Sequence, residues 1–522
     1  MSSARNILLL AAENGALPHG KVGGVGDVMR ELPIALARRG LEPVVLTPAY
    51  GLLDEFPDTK QIASVNVGFG GVAESVDLYE IPLDPDTGVR HCVLDHACFQ
   101  PNGPGIIYCD DGDDAPFETD GGKFAFFCAA AAAAICEGAL EAPDVVHLHD
   151  WPAALFLALR EFDPVLSPLK KIRTVYTIHN LALQGVRPLD GYDSSLHAWF
   201  PHLTFETETV ADPRWEDCVN PMAAAIRLAD GVNTVSSVYA EEITRPSAPE
   251  RGYSGGEGLE EDLGKAQSEG RLAGILNGCE YPEQPAPAPE WSRVVEVMQS
   301  ELMRWQGEQG EIRAHARATE RLDTLSSRRP GILLTSIGRI ATQKVQLLRE
   351  EAGEGGSALA TLLESLGDDA WFIMLGTGDP DCEAFLADHA AVHPNFLYLQ
   401  GYSDELSDLL YRAGDLFLMP SQFEPCGISQ MIAMRAGQPC VVHGVGGLKE
   451  TVEDDVTGFT FGGDTPRMQA ASFLDRVREA LELRRSSPER WEKICRAAAA
   501  ARFDWDASAA KYEQVLYESG HA

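Results

Sequence analysis

Positive charge is scarce in this chain. Its 522 residues carry 42 lysines and arginines against 79 aspartates and glutamates, a formal net charge of −37 and a pI near 4.6. Such a balance excludes nonspecific attraction to nucleic acid or to an anionic bilayer over most of the surface, so any anionic ligand needs a local basic pocket. Paired cysteine motifs are also missing. The 11 cysteines form an odd set with no CxxC, which argues against a disulfide framework or a zinc ribbon and for reduced thiols. Long apolar runs are absent too. The longest, Phe124 to Ile135, covers about a dozen residues, short of the roughly 20 needed to span a bilayer. The run Ile7–Ala12 behind Arg5 is cut by Glu13 and Asn14 with no small-residue cleavage site after it, so it reads as a buried first strand rather than a leader. The expectations are no membrane span, no nucleic-acid partner and a cytoplasmic location.

What is present is a repeating alternation of short apolar runs and helical stretches. Ile7–Ala12, Pro43–Thr47, Asp144–His149, Arg173–His179 and Gly231–Ser236 read as strands in the first half. In the second half, Ile332–Ile337, Trp371–Leu375, Phe396–Leu399, Leu416–Met419 and Cys440–His443 are continuous apolar runs of the kind covered on both faces of a parallel sheet. This rhythm predicts an α/β chain with doubly wound parallel sheets. Length alone allows about three domains, but α/β domains run large and two fit as well. The proline-dense stretch Glu280–Glu290 interrupts the rhythm, which places an N-terminal Rossmann-like domain at 1–280, a linker region at 281–330 and a second Rossmann-like domain at 331–500. Ligands of such sheets bind beyond the carboxyl ends of the strands, so a cleft between the two domains is the expected place for chemistry.

The chemistry-bearing residues cluster after those strands. Lys21-Val-Gly23-Gly24-Val-Gly-Asp27 follows the first strand, where a glycine loop lets backbone amides approach a phosphate; a plain tight turn is the alternative. It fails as a dinucleotide fingerprint, because Met29 stands where glycine or alanine is needed and Asp27 at the helix mouth would repel a pyrophosphate. His147 and His149 share one face of a strand end, but without an evident third ligand a metal site is disfavoured; His147 reads as a core histidine, and His149 lies closer to the strand's carboxyl end. Arg339 and Lys344 are two cations five residues apart at a strand end, able to bear on one diphosphate. Glu424, just past the Leu416–Met419 run, is placed to bond sugar hydroxyls or to stabilise a cationic sugar transition state, while Gly446 and Gly447 are placed to bring amides to phosphate oxygens.

Taken together, K-x-G-G-x-x-D-V, H-x-H-D-W, Thr177-Ile-His-Asn180, Asn233-Thr-Val-Ser236, Leu276-Asn-Gly278, G-R-x-x-x-Q-K, L-G-x-G-D-P, P-S-x-F-E-P-C-G and G-G-L-x-x-T-V resemble, in order, the bacterial glycogen synthase and plant starch synthase family. They run from residue 7 to about 460. The resemblance implies the GT-B architecture, two Rossmann-like domains facing across a cleft, and transfer of glucose from ADP-glucose to the nonreducing 4-hydroxyl of an α-1,4-glucan with retention. It implies that Lys21 and the Gly23-Gly24 backbone face the donor phosphates and that Arg339 and Lys344 neutralise the leaving diphosphate in place of a metal. It further implies that Tyr402 stacks on the base, that Asp27, His149, Asn277 and Glu424 surround the transferred glucose, and that Cys426 with Gly446-Gly447 completes the donor site. The segment 501–522 resembles the family's last helix, which crosses back to the first domain. No cofactor and no metal are implied; the partners are the nucleotide sugar and the glucan.

The chain departs from the family pattern at Val345 and Val445, which replace a glycine and a threonine, at Cys279-Glu280, and at Asn220-Pro-Met-Ala223, which replaces a lysine-containing segment. These departures leave the phosphate and sugar residues intact and predict an active enzyme with an altered donor or primer preference. The rival readings are a catalytically weak homologue acting as a glucan-binding scaffold or regulator, and a synthase using UDP-glucose. A phosphorylase would need a pyridoxal lysine that cannot be placed.

Overall fold

In the computed structural model, residues 5–518 are described except 57, 113, 283–285, 311, 327, 353–354 and 368. The chain divides into two compact units: Met1–Ser247, Gly255–Gly278 and Asp504–Ala522 form the first, and Ala248–Ser254 with Cys279–Phe503 form the second.

Unit 1 is built on a nine-stranded sheet. In chain order its strands are β1 (Asn6–Leu10), β2 (Glu42–Pro48), β3 (Lys60–Phe69), β4 (Val72–Ile81), β5 (Arg90–Asp95), β6 (Val145–His149), β7 (Arg173–Ile178), β8 (Gly231–Thr234) and β9 (Leu272–Gly274). Their spatial order is β9-β8-β7-β6-β1-β2-β5-β4-β3. All neighbours are parallel except around β4, which runs antiparallel to both β3 and β5. Those outer strands fall outside the expected set. In β3 and β4, Val65, Val67, Val76 and Leu78 are buried while their neighbours in sequence are more exposed, and the two-residue Gly70-Gly71 turn has φ of 59° and 79°, as a tight hairpin between right-twisted strands requires.

The helix Glu118–Cys136 absorbs the alanine-rich run. By length and composition it could cross a membrane, yet 78% of its most apolar window is buried, so it serves as a central core helix. From Asp504 the chain rejoins unit 1: Trp505 packs under the helix Gly24–Arg38 and donates to Glu31, and Arg39 pairs with Glu513 at 2.7 Å.

Unit 2 has a six-stranded, wholly parallel sheet of β10 (Ile332–Ile337), β11 (Ala370–Leu375), β12 (Phe396–Leu399), β13 (Leu416–Met419), β14 (Cys440–His443) and β15 (Gly458–Phe461), ordered β12-β11-β10-β13-β14-β15. The stretch 281–330, expected as linker, instead carries two helices, Trp291–Gln309 and Arg313–Ser326. The prolines stop at residue 289, and from Trp291 apolar side chains recur at helical spacing. Val294, Met298, Leu302 and Trp305 are buried with Ala318, Leu322 and Leu325 against β11 and β12, so these helices belong to the core of unit 2. Val345 is likewise fully buried, which gives its replacement of a glycine a packing reason.

Candidate functional site

In unit 1 the relevant side chains gather at the carboxyl ends of β1, β6 and β7. The glycine loop after β1 is occupied by a carboxylate of the chain itself. Glu13, 3% exposed, accepts the backbone N–H groups of Val22 (2.8 Å), Gly23 (2.6 Å) and Gly26 (3.3 Å), and its other oxygen accepts the Tyr108 hydroxyl at 3.2 Å. A helix mouth is a natural anion site, and here Glu13 fills part of it. The Gly23 amide is therefore committed inside the protein. Beside it, Lys21 Nζ lies 2.7 Å from Asp27 Oδ1, which also accepts from Arg30 at 3.1 Å. In the sequence Glu13 marks the end of an apolar run, and its place directly after a strand and ahead of a glycine-rich helix start is the signal for this role.

The histidine rings pack against one another. The His147 and His149 ring centroids lie 4.1 Å apart, and His149 Nδ1 is 2.9 Å from His179 Nε2. Burial pushes the pKa values of His147 and His179 down to about 3 and that of His149 well below the usual range, so all three are neutral. His147 is fixed at both ends, by Tyr517 Oη (2.8 Å) and Thr177 Oγ1 (2.7 Å), and Asn233 donates to both Thr177 and the Tyr512 hydroxyl. This buried network ties the strand-end motifs to the C-terminal tyrosines. His149 is 1% exposed and its Nε2 makes no hydrogen bond among the described residues. Asn277, after β9, is 5% exposed and its Oδ1 is also unpartnered. His179 thus joins the candidate residues through its contact with His149.

Asp150 opens the next helix at φ 54°, a left-handed conformation that Asp and Asn tolerate best among side-chain-bearing residues. Its Oδ1 accepts the His179 N–H at 2.7 Å. Burial raises its carboxyl to about 7 against the pull of the backbone N–H groups of His179 and Asn180. Because the folded pKa exceeds the unfolded one, the folded state holds the extra proton between about pH 4 and 7, and stability falls as pH rises through that window. Asp150→Asn keeps the oxygen acceptor and removes the titration. The buried neutral histidines act in the opposite sense and are common to both proteins, so the change in unfolding temperature from pH 5 to pH 8 is expected to be more favourable for the variant than for the wild type; identical pH dependence would contradict the assignment.

In unit 2 the site lies at the ends of β10 and β13. Arg339, Lys344, Ser336, Met419 and Ser421 line one cavity. Arg339 is exposed and makes no ion pair or hydrogen bond among the described residues. Lys344 Nζ lies 3.8 Å from Glu424 Oε2, which accepts the Ser421 hydroxyl at 3.2 Å; Glu424 is 8% exposed. The loop carrying Glu424 is pinned on three sides. Gln343 accepts the Gln422 N–H (2.8 Å) and donates from its amide to Phe423 O (2.9 Å). His443 Nδ1 faces the carbonyls of Ser421 and Gln422 at 3.1 and 3.0 Å, so that nitrogen carries the proton. The Gly447 N–H donates to the carbonyls of Glu424 (3.1 Å) and Pro425 (3.2 Å).

That last contact changes the reading of the paired glycines. A Cβ on Gly446, at φ 45°, would stand 2.0 Å from Glu424 O, and one on Gly447 would stand 2.3 Å from Cys426 O. The glycines let two loops press together, and the Gly447 amide is spent on that contact instead of a phosphate. Cys426 is buried at the same junction. Gly447→Ala is therefore expected to cost about 1–3 kcal/mol through overpacking. Thermal unfolding of the variant beside the wild type would record that loss.

Tyr402 follows β12 on a pinned loop. Its carbonyl accepts from Arg304 (2.9 Å) and Trp305 (3.3 Å), while its ring is 56% exposed. Its bracing helix, Trp291–Gln309, is one of the two in the stretch expected as linker. Among the described residues no three His, Cys, Asp or Glu side chains group as a metal site, and none of the 11 cysteines forms a disulfide.

Two family models match the chain: starch synthase catalytic domain over residues 6–265 and glycosyl transferases group 1 over residues 356–497. The chain is 34% identical to a glycogen synthase of Deinococcus radiodurans and 32% identical to one of Streptococcus equi subsp. equi, each alignment covering 98% of this chain and 99% of the relative. Among solved structures it resembles the catalytic domain of starch synthase IV from Arabidopsis thaliana bound to ADP and acarbose, with a TM-score of 0.76, 26% identity and 99% of both chains covered. A sucrose-phosphate synthase from Thermosynechococcus elongatus shares the fold at a TM-score of 0.55 and 16% identity.

Proposed function

The chain belongs to the glycogen synthase and starch synthase family of retaining glycosyltransferases, and on that premise we propose that its donor is ADP-glucose and its acceptor the nonreducing 4-hydroxyl of an α-1,4-glucan. The observation that carries this reading is the Arg339, Lys344 and Glu424 constellation of unit 2. An arginine with no partner among the described residues, five residues from a lysine at a strand end, is suited to take a diphosphate. As the C1–O bond to the leaving phosphate breaks, its electron pair goes to the diphosphate and positive charge develops on the sugar. Arg339 and Lys344 stabilise the first charge, and the Glu424 carboxylate stabilises the second. The acceptor oxygen bonds C1 on the face that the phosphate leaves, and its proton passes to the departing phosphate oxygen.

The other assignments rest on the family resemblance, with support from the local geometry of each unit. In unit 1, Lys21 and the Gly24 backbone face phosphate, with Gly23 committed to Glu13. Asp27, His149 through its unpartnered Nε2, and Asn277 through its unpartnered Oδ1 bond sugar hydroxyls. In unit 2, the exposed ring of Tyr402 stacks on the base, and Cys426 with Gly446 and Gly447 shapes the donor site by fixing the Glu424 loop. The test is incorporation of labelled glucose into glycogen from ADP-glucose and from UDP-glucose. Preference for ADP-glucose is expected; preference for UDP-glucose would overturn the donor assignment, and no transfer from either would overturn the catalytic reading.

A further inference from the structure

Two of the most exposed aromatic side chains of unit 1 sit on adjoining loops beyond β7. Tyr192 is 65% exposed and Trp215 is 51% exposed. The loops leave one short antiparallel ladder together: Arg187 pairs with Val219, Pro188 with Cys218, and the Leu189 N–H donates to Asp217 O at 2.8 Å. Exposure of an indole is unfavourable unless something covers it, and a freely moving side chain would hide part of its surface. The backbone that carries Trp215 is fixed. Its main-chain N–H donates to Asp212 Oδ1 at 3.3 Å, and its carbonyl accepts the Cys218 N–H at 2.9 Å.

The ring itself is held from one side. The Arg214 guanidinium lies 4.5 Å from the Trp215 ring centroid. Arg214 is fixed in turn by the buried Asp212 (2.9 and 3.1 Å) and by Gln184 (2.8 Å), and Asn220 donates to both Asp212 and Gln184 at 2.7 Å. The segment Asn220-Pro-Met-Ala223, a departure from the family pattern, thus begins with a residue that locks this network. The result is an exposed indole braced in advance by a fixed guanidinium, with polar groups beside it.

We infer that Trp215 and Tyr192 form a binding platform for the α-glucan polymer, separate from the residues assigned to glucosyl transfer, on which the apolar C–H faces of glucose rings stack. The inference rests on the glucan-polymerising reading above. A neutral hydroxyl polymer suits a chain of net charge −37, which repels polyanions, and a long acceptor extends many residues beyond the sugar that reacts. Stacking on a fixed ring gains area with little loss of side-chain freedom.

The experiment is native gel electrophoresis of the full chain in gels containing increasing glycogen, with Trp215→Ala and Trp215→Phe beside the wild type, and kinetics on glycogen and on a short α-1,4-oligosaccharide. The alanine variant is expected to need about tenfold more glycogen for equal retardation, corresponding to loss of one good contact, with the phenylalanine variant largely restored. Its rise in KM is expected to be larger for glycogen than for the oligosaccharide. Retardation of the alanine variant equal to the wild type, or a wild type that elongates oligosaccharides but is not retarded at all, would overturn the platform. Absence of glucosyl transfer in every arm overturns the catalytic reading instead, and the retardation arms then still decide the platform.

Discussion

Arg339→Ala is expected to lower kcat/KM for the nucleotide sugar by about 10²–10³-fold while leaving the thermal unfolding temperature unchanged. The two halves of that expectation come from one fact: the arginine has no partner among the described residues and is exposed. A side chain that pairs with nothing contributes nothing measurable to folding, so its removal leaves stability intact. A cation aimed at developing phosphate charge acts only when the donor is bound and most strongly as the C1–O bond breaks. The loss should therefore appear in kcat as well as in KM. Lys344→Ala should lose activity on a similar scale but disturb the apo site too, because Lys344 lies 3.8 Å from the buried carboxylate of Glu424. Steady-state kinetics paired with thermal unfolding separates the two variants. An Arg339→Ala enzyme with wild-type turnover would remove the diphosphate assignment.

Five of the six strands of the second sheet were legible from the sequence almost to the residue, while its edge strand β15 and the outer edge of the first sheet were not. β10, β12, β13 and β14 coincide with the continuous apolar runs, since strands covered on both faces leave no polar position to blur their ends. β3 and β4 alternate, and alternation broken by polar residues such as Ser64, Asn66 and Ser75 is a weak signal; the Gly70-Gly71 turn was the stronger clue. The helix Trp291–Gln309 was masked by the prolines preceding it, although Val294, Met298, Leu302 and Trp305 keep a helical spacing.

At the site, residue types indicated chemistry better than they indicated hydrogen-bond partners. Arg339, Lys344 and Glu424 do share one corner of unit 2, as strand-end placement implied. The glycine motifs were harder, because the same absence of Cβ serves a phosphate or another stretch of backbone. Glu13 claims the Gly23 amide, and the carbonyls of Glu424 and Pro425 claim that of Gly447. Only three-dimensional distances distinguish those uses.

Glu424→Gln carries the other large expectation, a fall of about 10²–10³-fold in kcat with little change in donor KM. The amide is nearly isosteric, so Ser421 keeps an acceptor and the loop keeps its ties to Gln343, His443 and Gly447, while the negative charge disappears. A carboxylate that stabilises a cationic sugar works mainly in the transition state, which is why the effect belongs in kcat. The same residue decides between two routes to retention. In same-face transfer the carboxylate never bonds to C1, and the wild-type protein incubated with a slow-reacting fluorinated donor should keep its unmodified mass. In a double displacement Glu424 would form a covalent glycosyl ester, which accumulates when its breakdown is slower than its formation. A mass increase of one sugar, mapped to Glu424, would replace same-face transfer with double displacement, while leaving Arg339 and Lys344 as the groups that receive the leaving diphosphate.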